Sequence, residues 1–231
     1  MAYIGKIPAA AAVTGSDLDP SVITGQTALG ATPADTDEFI ISDAGTLKRM
    51  DYSHIKASAG WTLISTSTTS SAVSEIDITG IDSTYTNYKI IIYNFNVATD
   101  DQGIYGRAII GGSVKSDAYH EYVTHRVSAQ STPQHTVNAS TTSDSWDLTN
   151  GGIGNATEEN AFGEITIFNP SETALFKTIG YNIHYQDPTG LAGASYGTAY
   201  YSNGTAAMTG IRLYAASGNV SSAVIKLYGI S

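Results

Sequence analysis

Two runs near the end of the chain, MTGIRLYAAS and SAVIKLYGIS, flank the turn Gly218-Asn219. Apolar and polar residues alternate along them: Ile211 and Leu213 on either side of Arg212, then Val224 and the Leu227 region around Lys226. A period of two marks a strand with one buried face, and such a strand needs partners. The same texture reaches back to Trp61 through WTLIST, VSEIDIT, NYKIIIYNFNV, IYGRAIIG, YHEYVTHRVSAQ, FGEITIF and ALFKTIGYNIHYQ, each bounded by turn residues. Fifteen Tyr stand against three Met, and only 14% of residues are charged, which is poor helix composition. Residues 61–231 are therefore predicted to form an all-β head, an antiparallel β-sandwich of jelly-roll type. Ser131 to Asn160 reads as a polar stretch with weak strands at best, and the Gly/Tyr-rich segment after Gln186 reads as a loop.

Residues 1–58 have a different texture. Gly5, Pro8, Gly15, Pro20, Gly25, Gly30 and Pro33 cut them into pieces too short to close a core. The expectation is an extended arm with brief strands at Phe39–Ser42 and Thr46–Met50, then a helical turn over Tyr52–Ala57 with Asp51 as N-cap. Phe39, Ile40, Ile41, Leu47 and Met50 are its candidate attachment and intertwining residues. Its charges, from Asp35 through Asp51, carry both signs and lack the basic or metal partner that catalytic carboxylates need.

A net charge of −10 with no basic cluster beyond Lys48-Arg49 disfavours nucleic acid and anionic membrane as partners. No apolar run approaches the roughly 20 residues that span a bilayer, so membrane insertion is not expected. MAYIGKIPAAAAV lacks a charged segment followed by a long apolar one, so no secretion signal is expected. The absence of cysteine removes disulfides, thiolate metal sites and thiol nucleophiles. Stability outside a cell then calls for another device, of which oligomerisation is the usual one.

Four motifs invite a chemical reading. His120 and His125 flank Glu121 as in a zinc-protease helix, but their spacing is five and the segment favours strand, which puts the imidazoles on opposite faces. Gly193-Ala194-Ser195-Tyr196-Gly197 has the letters of a nucleophile elbow without its strand-then-helix context, and no His follows His184. Asp100-Asp101 lacks the spaced acids of a calcium loop and reads more simply as a turn whose carboxylates cap backbone N–H groups. Tyr185, Tyr196, Tyr200 and Tyr201 form a candidate recognition surface, since aromatic faces beside amides suit sugar rings or a protein surface. The plainer reading of the same tyrosines is packing on the sheet. No catalytic, cofactor-binding or metal-ligating residue emerges.

The opening Met1-Ala2-Tyr3-Ile4-Gly5-Lys6-Ile7-Pro8-Ala9, the stretch from Ala34 to Lys56 (ADTDEFIISDAGTLKRMDYSHIK) and the ending from Ser217 to Ser231 (SGNVSSAVIKLYGIS) together resemble the tail-fibre and virion structural proteins of marine tailed bacteriophages. In that family the second stretch is a junction and the third closes the C-terminal module. Many members carry a further domain between the opening and the junction, where this chain has only Ala10 to Ala34. The resemblance implies a non-enzymatic virion protein, made in the host cytoplasm and displayed on the particle as a homotrimeric tail fibre. Its partners would be its own copies, other virion proteins, and a host-surface glycan or protein. The alternative is a capsid decoration or head-fibre protein whose arm docks on the shell.

Overall fold

The computed structural model describes residues 24–25, 27–55, 60–129 and 132–230. Two units divide the chain, Met1–Ala57 and Ser58–Ser231. Strand pairing among the described residues is antiparallel throughout.

In the first unit, β1 (Glu38–Asp43) and β2 (Thr46–Asp51) form a hairpin in which Phe39 opposes Met50 and Ile40 opposes Arg49. Ala44 and Gly45, at φ +50° and +82°, make the two-residue left-handed turn that matches strand twist. The hairpin is closed from outside: Tyr52 N–H donates to Asp37 O (2.7 Å) and Ser53 N–H to Asp35 O (3.3 Å). Its acids have structural partners. Asp37 accepts from the Ala34 N–H, Glu38 meets Arg49 at 2.9 Å, and Asp43 meets Lys48. The expected helical turn is a single 3-10 turn, Tyr52–His54, and the Asp51 side chain makes no capping bond to it. Ala57 and the Leu47 side chain lie outside the described residues, as do residues 1–23.

The second unit holds β3 (Trp61–Thr69), β4 (Ile76–Thr79), β5 (Asn87–Val97), β6 (Ile104–Ile110), β7 (Ser113–Val114), β8 (His120–Ser128), β9 (Gln134–Ser143), β10 (Trp146–Asp147), β11 (Ala161–Phe168), β12 (Lys177–Gln186), β13 (Ala192–Tyr201), β14 (Met208–Ala215) and β15 (Val220–Ile230). An eight-stranded sheet runs β3-β15-β5-β11-β12-β13-β8-β9, and a five-stranded one runs β10-β6-β14-β4 with β7 beside β6. Four pairs, β3 with β15, β4 with β14, β5 with β11 and β6 with β10, alternate between the two sheets. One buried cluster joins the sheets face to face, with Ile90, Ile165 and Ile183 from the large sheet and Ile104, Ile211 and Leu213 from the small one.

Three local expectations are corrected. The polar 131–160 stretch contains β9, a ten-residue edge strand, followed by Trp146, Leu148 and Ile153 in the core. Its Ser and Thr side chains are tolerated because β9 has a neighbour on one side only and is mostly exposed. The Gly/Tyr-rich segment is not a loop but β13, paired on both sides. On β15 it is Ala223, Ile225 and Leu227 that face the core, whereas Val224 faces outward.

The glycines of β13 explain why it reads as a loop. A Cβ on Gly193 would lie 2.8 Å from the Tyr185 ring, and one on Gly197 only 2.1 Å from Val123 O. They admit close approach within a strand, so the G-x-S-x-G letters have a packing cause. Gly197→Ala should cost about 1–3 kcal/mol, read as a lower denaturation midpoint.

His120 is fully buried between Trp146, which it meets edge-on, and Tyr201, tilted against it, at ring separations of 5.0 and 5.1 Å. Its Nε2 accepts from the Ala108 N–H (3.2 Å) while Nδ1 faces Asp117 O (3.1 Å), an arrangement that requires the neutral ring. Burial lowers its pKa, against the opposing pull of the Asp117 carbonyl. The unfolded chain therefore takes up this proton first, at about pH 6.5, and stability is lost as pH falls from there toward the lowered folded value. Melting temperature should decline over that window in the wild type, and the decline should be shallower in His120→Gln.

Candidate binding face

A sheet offers two surfaces. The inner one is consumed by the core, so what a sheet can offer a partner stands on its outer face, and the eight-stranded sheet has the wider one. Register places its residues in rows. One row runs Lys226, Ile91, Glu164, Asn182, Tyr196, His125, Val137, and the next passes through Phe162, His184, Ala194, Val127 and His135. A further row, at the other end of the strands, carries Phe168, Thr178, Tyr200 and Glu121.

This face is rich in stacked rings. His125 and His135 share a hydrogen bond of 3.1 Å between ring nitrogens and lie nearly parallel, and the Tyr196 ring stacks on His125 at 5.2 Å. Phe162 stacks on His184 at 5.6 Å. Lys226 sits 4.9 Å over Tyr93, whose hydroxyl is 3.4 Å from that of Tyr228. An open depression of about 670 Å³ between Phe162, His184, Val127, Ala194, His135 and Gln134 is walled mainly by apolar surface. At the opposite end, Phe168, Leu175, Phe176, Tyr200 and Glu121 border a second one of about 500 Å³. The buried ammonium of Lys177, donating to the carbonyls of Glu172 and Leu175, holds the loop that presents Leu175 and Phe176 outward.

The four candidate tyrosines separate by strand parity. Tyr196 and Tyr200 are outward, 45% and 36% exposed, and Glu121 accepts from the Tyr200 hydroxyl, pushing that phenol's pKa up. Tyr185 and Tyr201 are each only 2% exposed and belong to the core, which corrects their place on a recognition surface. Tyr185 donates to Thr149 O (3.2 Å), and Tyr201 to Asp117 Oδ2 (2.7 Å), where burial and that carboxylate push its pKa up to about 12. Phe162, His135, Val137 and Phe176 were missed by sequence reasoning. Exposed apolar residues at alternate positions of FGEITIF are the one signal that could have shown part of this face.

The other motifs resolve into structure. His120 and His125 lie on opposite faces of β8. Ser195 is buried and donates to Thr149 O. Asp101 occupies a left-handed turn, φ +59°, and Asp100 Oδ1 accepts the Asn155 N–H (3.3 Å). Among the described residues no three His, Asp or Glu side chains gather as metal ligands would. No family model, curated protein or solved structure matches the chain.

In the first unit Ile40 is 81% exposed and Phe39 40%, with the Phe39 ring 6.1 Å from that of Tyr52, while Ile41 and Met50 are half-buried. The parity of the tyrosines has a direct check. Tyr185→Ala or Tyr201→Ala should destabilise by about 3–5 kcal/mol in urea titrations, and Tyr196→Ala or Tyr200→Ala by less than about 1 kcal/mol.

Proposed function

We propose that the chain is a non-enzymatic structural protein of a phage particle. Ser58–Ser231 serves as a surface-displayed head and the first unit as the junction that anchors it, the whole working as a homotrimer. The alternating strand pairs are read as jelly-roll connectivity in which the stretches holding β8–β9 and β12–β13 are insertions that widen the large sheet. The observation that carries the proposal is the junction hairpin. Two strands are marginal alone in water, yet this pair turns Phe39 and Ile40 to solvent, as a segment does whose partner lies on another molecule. The resemblance of Ala34 to Lys56 to a virion junction supports the same reading. The head carries the adhesive role, with the Tyr200, Leu175 and Phe176 depression as the contact to a host-surface glycan or protein.

Ile40→Asp should leave the head's circular dichroism and melting unchanged while lowering the amount of the chain in purified particles by tenfold or more, as measured by quantitative mass spectrometry. Undiminished incorporation would contradict the anchoring role. Tail fibre is the favoured position for the protein. The hairpin would serve a shell anchor equally well, and imaging of the particle separates the two positions.

A further inference from the structure

The outer face of the large sheet is unusual in its charge. Its strand residues include Lys89, Lys226, Glu121 and Glu164, two positive and two negative, so the face is formally neutral on a chain of net charge −10. Lys89 and Glu164 already pair at 2.9 Å, and Lys226 is engaged with Tyr93. The acidic excess therefore lies elsewhere on the chain. Two copies brought together through other acidic surfaces would repel, while through this face they would not.

The face is also apolar where a sandwich exterior is ordinarily polar. Leu63, Tyr93, Phe162 and Val137 are between 46% and 54% exposed, and they spread from β3 at one edge to β9 at the other. Eight strands at about 4.8 Å spacing and the three rows from Phe162 to Thr166, at about 6.8 Å, give a patch on the order of 800 Å². About 800 Å² per partner is what a standard stable interface covers. A small ligand would fill one depression and leave the remaining rings wet. A strongly charged partner would find no net charge to meet.

We infer that the occupant of this face is a second copy of the chain: copies assemble by burying the outer faces of their eight-stranded sheets against one another. The inference rests on the proposed self-association and assigns it to a surface of the head rather than to the junction. In a trimer, each face turns toward the shared axis and meets both neighbours. Tyr196 and the His125–His135 pair then serve assembly, and recognition stays with the Tyr200 end of the face.

The test is the solution mass of the full chain by multi-angle light scattering, for the wild type and for Phe162→Glu, Val137→Glu and the off-face control Ser217→Glu. The wild type and Ser217→Glu should give a multiple of the 24.2 kDa chain mass. The face variants, each burying an unpaired carboxylate in the contact, should dissociate about 100-fold or more readily with unchanged circular dichroism. Val137 lies on an edge strand at 54% exposure, so its variant keeps the test usable if Phe162→Glu unfolds. A wild-type oligomer that persists in both folded variants would overturn the assignment to this face alone. A wild-type mass of 24.2 kDa would overturn self-association itself, leaving the virion reading to be judged on the particle.

Discussion

The head depends on a short polar seam between its two sheets. Trp146 to Thr149 lies buried, and its carbonyls and side chains are met by the large sheet. Thr124 donates to Asp147 O and shares a 2.6 Å hydrogen bond with the Tyr181 hydroxyl. Tyr185 and Ser195 both donate to Thr149 O, and the Trp146 indole donates to Tyr200 O (3.1 Å). The Asp147 carboxylate accepts from the Thr149 and Asn150 N–H groups and from Asn138. Buried polar groups are costly unless each finds a partner, so this network fixes how the sheets face each other more narrowly than Ile and Leu packing could.

That seam also decides which tyrosines are available. A phenol is amphipathic, and strand alternation alone does not say whether its ring goes to the core or to solvent. Tyr181, Tyr185 and Tyr201 go inward because oxygens on Thr124, Thr149 and Asp117 receive or share their hydroxyl protons. Tyr196 and Tyr200, one parity away, are left outside, where they join Phe162, Phe168 and the histidines in a face that is exposed among the described residues. Core chemistry and surface chemistry are thus two outcomes of one strand pair, β12 and β13.

How far the sequence could be read follows from the same physics. The long strands with Ile and Val at alternate positions, β5, β11 and β15, were legible because burial on one face imposes a period of two. β1 and β2 were legible as brief strands at Phe39–Ser42 and Thr46–Met50, and their pairing into a hairpin comes from the structure. β13 was not, since Gly193 and Gly197 are required by neighbours on adjacent strands and look like loop glycines when those neighbours are unknown. β9 was hidden because an edge strand needs little apolar content. Of the four candidate tyrosines, Tyr196 and Tyr200 stand outward, whereas Tyr185 and Tyr201 belong to the core. The stacked His125–His135 pair joins positions ten residues apart that only register brings together.

The β1–β2 hairpin and the outer sheet face share one property: apolar side chains held in regular backbone and left exposed among the described residues. A density map of the purified phage particle at side-chain resolution tests this most directly. It should show the head on the particle surface, with the large sheets of neighbouring copies turned toward one another and Ile40 buried in another virion protein or copy. Particles lacking the chain, or a solitary head with that face open to solvent, would contradict the central claim.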